Sequence, residues 1–453
     1  MVALVDPAVR SVLSTLMKTI SRYLFALLAI APLLAVAAAA SPPVTDPVND
    51  PSTQLRQAVV SIRTLVGDGS APISTGSGFF VGASGRFVTN HHVVGLFMRK
   101  PLQYRLQIAL PDGATATAKI VGFSLVDDLA VLQLSKPMPA GVTWIELSRS
   151  LSTPKEGSSI YAIGDPSGMG LMSTRGHYSG LRNKAGFERY HFTGTLNPGM
   201  SGGPAVNQLG QLVGVNAARR RNAEQMSFLV PAARVQALVA STAQNLPLDP
   251  PAVAAEIRRQ LAEFHAKESH ISLSSEQARA RFGPYEVPSF GADRLNCSTA
   301  SDMRSDDGDA LRPVEVQGVG CQMETSLELG DDIVIGHVEY SHRKYRAVSL
   351  NSWRFNTAMH QFHRQNMVEG ATRSIAAAQC VDRFTQVGLG VTLPIRLIWC
   401  VQAYREFEGL YDLRVSVLTR DRSNEALVSK LVLYGVTWAQ ADAYTRHLLG
   451  GIK

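Results

Sequence analysis

Between residues 53 and 231 the chain is a succession of short β-like runs separated by glycine-rich turns, and this spacing restricts its fold more than any other feature. Examples are "AVVSIRTLV", "GSGFFV", "LAVLQL", "GSSIYAIG" and "QMSFLV". Strands of this length with turn residues between them are typical of an all-β barrel or sandwich. The next stretch, "PAARVQALVASTAQNL", has apolar residues at helical spacing, so we expect a helix to close this unit.

The remainder of the chain has a different pattern. A chain of 453 residues is too long for one ordinary core, and "PLDPPAV" at 247–253 indicates a proline-rich break. Beyond it, strand patterns such as "LYDLRVSVL" mix with helical patterns, and Thr437 with Gln440 has the spacing of a capping box before a final helix. We therefore expect a C-terminal α+β domain. The predicted divisions are a signal peptide (1–40), a proline-rich tether (41–52), the β domain (53–245), a linker (246–258) and the α+β domain (259–453).

The N-terminal forty residues have the order of a secretory signal. Lys18 and Arg22 precede an apolar run over 23–36, and Ala38, Ala39 and Ala40 come directly before Ser41. Cleavage is expected after Ala40. Met17 is an alternative start, and an uncleaved membrane anchor is the alternative interpretation. After removal of the signal we expect no stable membrane span, and the absence of a nearby cysteine argues against a lipid anchor.

Charge and cysteine content limit the partners and the compartment. The formal net charge of +7 is mild for this length, and no basic block with interleaved aromatics indicates a nucleic-acid surface. The four cysteines all lie in the last third of the chain. In an exported protein an even number of cysteines indicates disulfides, with three connectivities open. We favour the local pairs, Cys297 with Cys321 and Cys380 with Cys400, over buried free thiols.

The stretch "GTLNPGMSGGPAV" (194–206) places one serine, Ser201, among four glycines. A serine hydroxyl attacks only when a base takes its proton and preorganised donors hold the oxyanion that forms. Glycines allow the N–H groups of Gly199 and Ser201 to turn toward one point, as an oxyanion hole requires. Upstream, "FVTNHHVVG" offers an imidazole and "SLVDDLAVLQL" offers a carboxylate to orient it.

Five motifs in order resemble one family. "TGSGFFVGASGRFVTNHHVV", "DDLAVLQL", "IYAIGDPSGMG", "NPGMSGGPAVNQLGQLVGVNAA" and "MSFLVPAARV" are similar to signatures of the Deg/HtrA branch of the trypsin-like, chymotrypsin-fold serine proteases. The resemblance implies two Greek-key β-barrels with the active site between them. It also implies a catalytic triad of His92, Asp128 and Ser201, since these positions match the family pattern, whereas His91 and Asp127 do not.

The resemblance further implies a substrate-binding region and shows two departures. Thr195 stands at the position of the specificity-pocket floor, so a small or aliphatic residue is the expected substrate side chain there. Val215 and Asn216 lie on the strand against which a substrate backbone is expected to pair. The residue before the nucleophile is Met200, so activation by N-terminal cleavage is not expected. The C-terminal region has no recognisable PDZ pattern.

The expected function is therefore an exported serine endopeptidase, in the bacterial periplasm or secreted, that cleaves protein or peptide substrates through an acyl-enzyme. We expect no cofactor and no metal, because His360 and His363 lack a third ligand of suitable spacing. One rival is a non-catalytic, chaperone-like binding protein on a protease fold. The other is a protease that cleaves only its own linker near "LPLDPPAV".

Overall fold

In the computed structural model, two seven-stranded antiparallel sheets and a closed six-stranded barrel belong to one unit, residues 50–453. The structure describes residues 51–69, 71–150, 153–184, 187–219, 227–243, 247–273, 279–289, 295–302, 313–323, 327–329, 333–365, 367, 370–387 and 392–453. The predicted signal peptide and residues 41–50 of the predicted tether lie outside the described residues.

The first part of the unit is a seven-stranded antiparallel sheet in the order β5-β4-β1-β2-β3-β7-β6. Apolar side chains are buried on both of its faces. One cluster contains Ile62, Phe80, Phe87 and Leu132, and a second contains Val59, Phe79, Val88 and Val131. The elements are α1 (Pro51–Leu55), β1 (Val59–Val66), β2 (Pro72–Phe80), β3 (Arg86–Thr89), α2 (His91–Arg99), β4 (Tyr104–Ala109), β5 (Thr115–Ala116), β6 (Ala118–Ser124) and β7 (Leu129–Leu134), with a 3₁₀ helix at Arg56–Ala58.

The second part closes into a barrel with the strand order β10-β13-β12-β11-β8-β9. Closure pairs every strand, so this barrel has no free edge. Its strands are β8 (Ser159–Gly164), β9 (Met172–Lys184), β10 (Phe187–Phe192), β11 (Pro204–Val206), β12 (Leu212–Arg219) and β13 (Ser227–Pro231); 3₁₀ helices lie at Leu147–Arg149 and Pro166–Gly168, and α3 (Ala232–Ser241) follows the barrel. The sequence-based prediction of an all-β region closed by a helix is confirmed.

The C-terminal region contains a second seven-stranded antiparallel sheet, in the order β16-β17-β20-β24-β23-β22-β21. Its elements are α4 (Pro250–Leu273), β14 (Arg279–Phe282), β15 (Tyr285–Pro288), β16 (Asn296–Asp302), β17 (Val314–Gln322), β18 (Leu327–Glu328), β19 (Val334–Ile335), β20 (His337–Ala347), α5 (Ser352–Arg364), β21 (Gln379–Val387), β22 (Leu393–Ala403), β23 (Leu410–Thr419), β24 (Glu425–Thr437) and α6 (Trp438–Gly451). Phe355 and Met359 of α5 pack with Leu418 and Val428 of the sheet. The predicted α+β class is confirmed, and α6 begins with the predicted capping box of Thr437 and Gln440.

The predicted linker at 246–258 is wrong from Pro250 onward, because α4 begins there. Asp249 caps this helix: its carboxylate accepts the N–H of Ala252 at 2.8 Å. Pro250 and Pro251 fit the first turn, where a missing N–H costs no intrahelical hydrogen bond. "Asp-Pro-Pro" is therefore a helix start rather than a break. Similarly, the last two residues of the predicted tether belong to α1.

One hydrophobic cluster joins the first sheet to the C-terminal sheet. It contains Ile62 and Leu132 from the first sheet, Ile257 and Leu261 from α4, and Val415 from β23. Helix α4 lies between the two sheets in this cluster, so its apolar residues are shared by both. The N-terminal β region and the C-terminal region thus have a common core.

Each disulfide joins an edge strand of the C-terminal sheet to its neighbour. Cys297 on β16 is bonded to Cys321 on β17, and Cys380 on β21 is bonded to Cys400 on β22. These are the local pairs that the sequence analysis favoured. Within the described part of the chain, no helix combines the length and apolar character needed to cross a membrane.

Candidate active site

His92 lies in the first turn of α2, directly after the end of β3. The residues that make this transition are anchored to the turn that carries Asp128. The Asn90 side chain donates to the carbonyl oxygen of Asp128 at 2.8 Å, and the His91 N–H donates to the same oxygen at 3.1 Å. The backbone at the start of α2 is therefore fixed relative to Asp128 before any side-chain contact is considered.

Asp128 ends a turn that precedes β7. Its φ of 58° is the one positive φ of a non-glycine residue in the described chain. A left-handed conformation costs an L-residue roughly 1–2 kcal/mol, and such strain persists only where the surroundings hold it. Here the turn is closed by the Asp128 N–H, which donates to the Leu125 carbonyl at 3.2 Å.

The carboxylate of Asp128 contacts His92 through both oxygens. Oδ2 lies 2.7 Å from Nδ1 of the imidazole, and Oδ1 accepts the backbone N–H of His92 at 3.0 Å. This arrangement fixes the ring orientation and favours the tautomer with its proton on Nδ1. The other ring nitrogen is then the one that accepts a proton.

The pKa of Asp128 lies below its ordinary value. Burial acts to raise this pKa, but the nearby His92 charge and the hydrogen bonds from the His92 ring and backbone outweigh burial. The carboxylate is therefore ionised at neutral pH and can stabilise a positively charged imidazole.

The neighbours of these two residues have other roles. The His91 side chain is only 2% exposed, and its ring packs at 5.6 Å from that of Phe123. The Asp127 carboxylate accepts a hydrogen bond from the Ser124 hydroxyl at 2.9 Å. Both aspartates lie in the turn before β7 rather than on a strand, so turn geometry, and not strand alternation, separates their directions.

Ser201 lies in the loop between β10 and β11, and this loop packs against the end of β3. A Cβ placed on Gly202 would lie 2.2 Å from the Thr89 hydroxyl oxygen and 2.9 Å from the Asn90 nitrogen, so only glycine permits this approach. The Ser201 hydroxyl donates to the Ala217 carbonyl at 3.1 Å. The structure thus brings the serine loop against Thr89 and Asn90, which directly precede α2 and His92. The Ser201 hydroxyl itself points toward the Ala217 carbonyl on β12.

The backbone around Ser201 has free donors at two alternate positions. The N–H groups of Met200, Gly202 and Gly203 donate to Asn197, Asn216 and Met200 carbonyls, respectively. In the described part of the chain, the N–H groups of Gly199 and Ser201 have no protein acceptor. Gly199 has a φ of 97°, which L-residues with side chains rarely adopt. These two donors are available to an oxyanion.

Three residues were expected to bind substrate, and two of them do not face solvent. Thr195 is exposed, but Val215 and Asn216 are completely buried. The Asn216 side chain donates to the carbonyls of Ile163 at 2.9 Å and Met200 at 3.1 Å. Neither side chain can therefore contact a substrate, because Val215 belongs to the core and Asn216 supports the serine loop. The backbone of Asn216 is also hydrogen-bonded to Gly202 and Gly203.

Sequence reasoning missed Ser77, which is fully buried on β2. Its N–H donates to the Ser201 carbonyl at 2.7 Å, and its hydroxyl donates to the Gly199 carbonyl at 2.8 Å. Ser77 thus holds the carbonyl on either side of Met200. The signal was present in "GSGFF", where a serine stands between two glycines that permit close backbone approach.

The histidine pair considered for a metal makes other contacts. Nδ1 of His363 lies 2.8 Å from the Ser416 hydroxyl, and Nδ1 of His360 lies 2.6 Å from the Arg396 guanidinium. A guanidinium beside an imidazole nitrogen repels a metal ion at that position. These contacts stabilise the packing of α5 on the sheet.

Residues 76–215 match the family model described as a trypsin-like peptidase domain. The chain carries a trypsin-like peptidase domain. The matched residues begin beside Ser77 and include His92, Asp128 and Ser201, so the match covers the site described above.

Curated relatives of this peptidase domain are Deg/HtrA serine proteases. The chain is 32% identical over 177 residues to "Serine protease Do-like HtrB" of Bacillus subtilis, which covers 36% of this chain and 37% of that protein. It is 34% identical over 161 residues to "Protease Do-like 1, chloroplastic" of Arabidopsis thaliana, covering 32% of this chain and 34% of that protein. The chain thus spans little more than a third of the length of these relatives.

A solved structure with a similar peptidase domain is the serine endoprotease from Yersinia pestis. It is 27% identical, the TM-score is 0.37, and the comparison covers 44% of this chain and 67% of that chain.

Proposed function

We propose that this protein is an exported serine endopeptidase. The observation that carries the proposal is the contact of both Asp128 oxygens with His92, beside a serine loop with two available N–H donors. This combination supplies a base, its orienting carboxylate, a nucleophile and an oxyanion hole. The relatives named above are serine proteases, which supports the same chemistry.

In the proposed reaction, the Ser201 hydroxyl turns from the Ala217 carbonyl toward Nε2 of His92 and attacks a substrate carbonyl. His92 takes the serine proton, and Asp128 stabilises the resulting imidazolium. The N–H groups of Gly199 and Ser201 donate to the oxyanion. His92 then protonates the leaving amine, and water releases the acyl group by the reverse path, which restores the serine.

Substrates of the proposed enzyme are proteins or peptides. The exposed Thr195 carries no charge, so it favours a small or aliphatic substrate side chain over lysine or arginine. Strand β11 pairs with β12 only as far as Val215, and the backbone of Asn216 is bonded to Gly202 and Gly203. The section of β12 that starts at Ala217 is therefore the better candidate for pairing with a substrate backbone. The signal-like N-terminus supports export to the bacterial periplasm or the medium.

The proposal is tested by fluorophosphonate labelling and casein cleavage with the purified full-length mature protein. Wild type is expected to be labelled, and Ser201→Ala is expected to lose labelling and at least about 10³-fold of the hydrolysis rate. Ser148→Ala, at an exposed serine that contacts Glu146, is the matched control and should label normally.

Three results would contradict the proposal. Labelling that persists in Ser201→Ala would place the nucleophile elsewhere. Binding of unfolded casein without cleavage or labelling, equal in wild type and Ser201→Ala, would favour the chaperone-like alternative. Cleavage confined to the protein's own segment 247–253, with casein intact, would favour the self-processing alternative.

A further inference from the structure

Helix α4 of the C-terminal region is hydrogen-bonded to the strand that leads into the Asp128 turn. The Gln260 side chain donates to the Phe123 carbonyl at 2.7 Å and accepts the N–H of Leu125 at 2.8 Å. The Gln260 amide thus pairs with one backbone carbonyl and one backbone N–H of the same segment. A neighbouring β-strand would pair with these two groups in the same way. Leu125 is the residue whose carbonyl closes the turn on Asp128.

The C-terminal region also holds the other end of the helix that carries His92. Arg99, in the last turn of α2, has a side chain only 2% exposed, and its Nε lies 3.0 Å from a Glu406 oxygen. Its guanidinium also donates to the Leu329 carbonyl at 2.7 Å. The second Glu406 oxygen lies 2.7 Å from the Lys100 ammonium. A buried guanidinium paired in this way is costly to leave without its partner.

These two contacts fall on the two elements that bear the imidazole and the carboxylate. We propose that Gln260 and Glu406 are positioning residues, through which the C-terminal region sets the geometry of the His92–Asp128 pair. The region is then a structural part of the active site rather than a separately attached recruiting domain. This inference rests on the function proposed above.

The physical reason is the sensitivity of the pair to small displacements. Asp128 has a strained backbone that its surroundings must hold, and α2 is a continuous helix of nine residues that links Arg99 to His92. A displacement of about 1 Å can cost on the order of 100-fold in rate when it disturbs the reacting groups. The shared core between α4 and the first sheet keeps Gln260 close to its backbone partners.

The first experiment compares Gln260→Leu with Arg258→Ala in the full-length protein. Leucine preserves the size of the side chain but makes neither hydrogen bond, whereas Arg258 is exposed on the same helix. Gln260→Leu is expected to lower kcat about 10- to 100-fold with KM within about twofold. The acid limb of its pH profile is expected to move to lower pH, because an imidazole that loses its carboxylate is more easily deprotonated. Arg258→Ala should match wild type.

The second experiment applies the same test at α2. Glu406→Gln removes the charge opposite Arg99, and Glu408→Gln makes the same change at an exposed position two residues further on. Glu406→Gln is expected to lower kcat about 5- to 20-fold with the same shift of the acid limb. A wild-type kcat and pH profile in both Gln260→Leu and Glu406→Gln would overturn the inference, as would a loss of activity without a shift of the acid limb.

A third measurement does not depend on catalysis. The His92 imidazole is titrated by NMR in protein labelled at histidine, with its resonance identified by its loss in His92→Ala. The inference expects a lower pKa for His92 in Gln260→Leu than in Arg258→Ala, and equal values would overturn it. If the proposed function fails, wild type shows no labelling at Ser201, yet this titration still reports whether α4 positions the pair.

Discussion

At the scale of single residues, Ser77 is the contact point between the first sheet and the serine loop. Its N–H and hydroxyl hold the carbonyls of Ser201 and Gly199, and its own carbonyl accepts the Thr89 hydroxyl at 2.7 Å. Its hydroxyl also accepts the N–H of Asp165 at 2.9 Å. These bonds hold peptides 199–200 and 201–202, which adjoin the peptides that carry the N–H groups of Gly199 and Ser201. They therefore limit how the two N–H groups proposed as the oxyanion hole can turn.

Ser77→Ala is expected to lower kcat about 10- to 100-fold with little change in KM. The substitution leaves the Gly199 carbonyl without its donor and the Asp165 N–H without its acceptor, and each buried group left unpaired costs roughly 1–3 kcal/mol. The measurement is the rate of fluorophosphonate labelling together with steady-state peptide hydrolysis. Ser135→Ala, at an exposed serine after β7, is the control. A Ser77→Ala protein with wild-type kcat would show that the loop keeps its geometry without this hydroxyl.

At the scale of elements, the two edges of the C-terminal sheet are held in the same way. Strand β21 is exposed along its whole length except at Val387, so few buried side chains anchor it. Its neighbour supplies a ladder of backbone hydrogen bonds, and the bond between Cys380 and Cys400 adds a covalent link. The bond between Cys297 and Cys321 has the corresponding role at β16.

Replacing Cys380 and Cys400 together by alanine is expected to loosen β21 while the central strands stay protected. A loop closed over a sequence separation of 20 corresponds to about 3 kcal/mol of stabilisation when only the chain entropy of the unfolded state is counted. Hydrogen exchange followed by mass spectrometry measures the change strand by strand. The double replacement of Cys297 and Cys321 is the matched control and should loosen β16 instead. An equal increase in hydrogen exchange in all seven strands of either variant would contradict the proposal that each disulfide stabilises its own edge strand.

Local signals in the sequence predicted several elements correctly. The capping box at Thr437, the two local cysteine pairs and the succession of short strands each depend on residues close together in the chain. The same kind of signal was misread at 247–253, where Asp249 followed by two prolines begins a helix. The composition of a break and that of a helix N-terminus are alike, and only the cap distinguishes them.

The remaining features of the site depend on contacts that the sequence does not encode locally. Alternation along β12 predicts that Val215 and Asn216 face opposite sides, but in a closed barrel one side is the core and the other packs under the serine loop. Gln260 meets Phe123 across 137 positions of sequence, so no spacing rule could join them. His92, Asp128 and Ser201 could be named as candidates from the sequence only because the motifs around them are distinctive.

At the scale of the whole molecule, the C-terminal region contains buried histidines. His265 on α4, His342 on β20 and His363 on α5 are at most 1% exposed. Burial lowers the pKa of His265 to about 4 and that of His342 to about 4; burial, followed by the Arg396 charge, lowers that of His363 to about 3. The folded protein therefore keeps these imidazoles neutral well into the acid range, whereas the unfolded chain protonates them near pH 6.5.

This difference makes the stability of the protein depend on pH in a defined window. Between about pH 6.5 and pH 4 the unfolded chain binds more protons than the folded protein, so the free energy of unfolding falls as the pH falls. Each fully neutral histidine contributes at most about 1.4 kcal/mol per pH unit. Above the window this stability is fully present. Because α4 carries both His265 and Gln260, loss of the C-terminal fold in acid also removes the proposed support of the active site.

Urea unfolding followed by fluorescence between about pH 7.5 and pH 5 measures this dependence. Wild type is expected to lose several kcal/mol of unfolding free energy between about pH 7.5 and pH 5. The loss in His265→Leu is expected to be smaller, and the difference should equal about the contribution of one buried histidine. His177→Gln, at an exposed histidine on β9, should keep the wild-type slope. Asp128 and Glu256 are carboxylates with lowered pKa values. Their contribution to the unfolding free energy is lost only at pH values below the ordinary pKa of a carboxyl group, so they do not affect the measurement between about pH 7.5 and pH 5. An unfolding free energy that stays constant from pH 7.5 to pH 5 would show that these histidines are protonated, or solvated, in the folded protein.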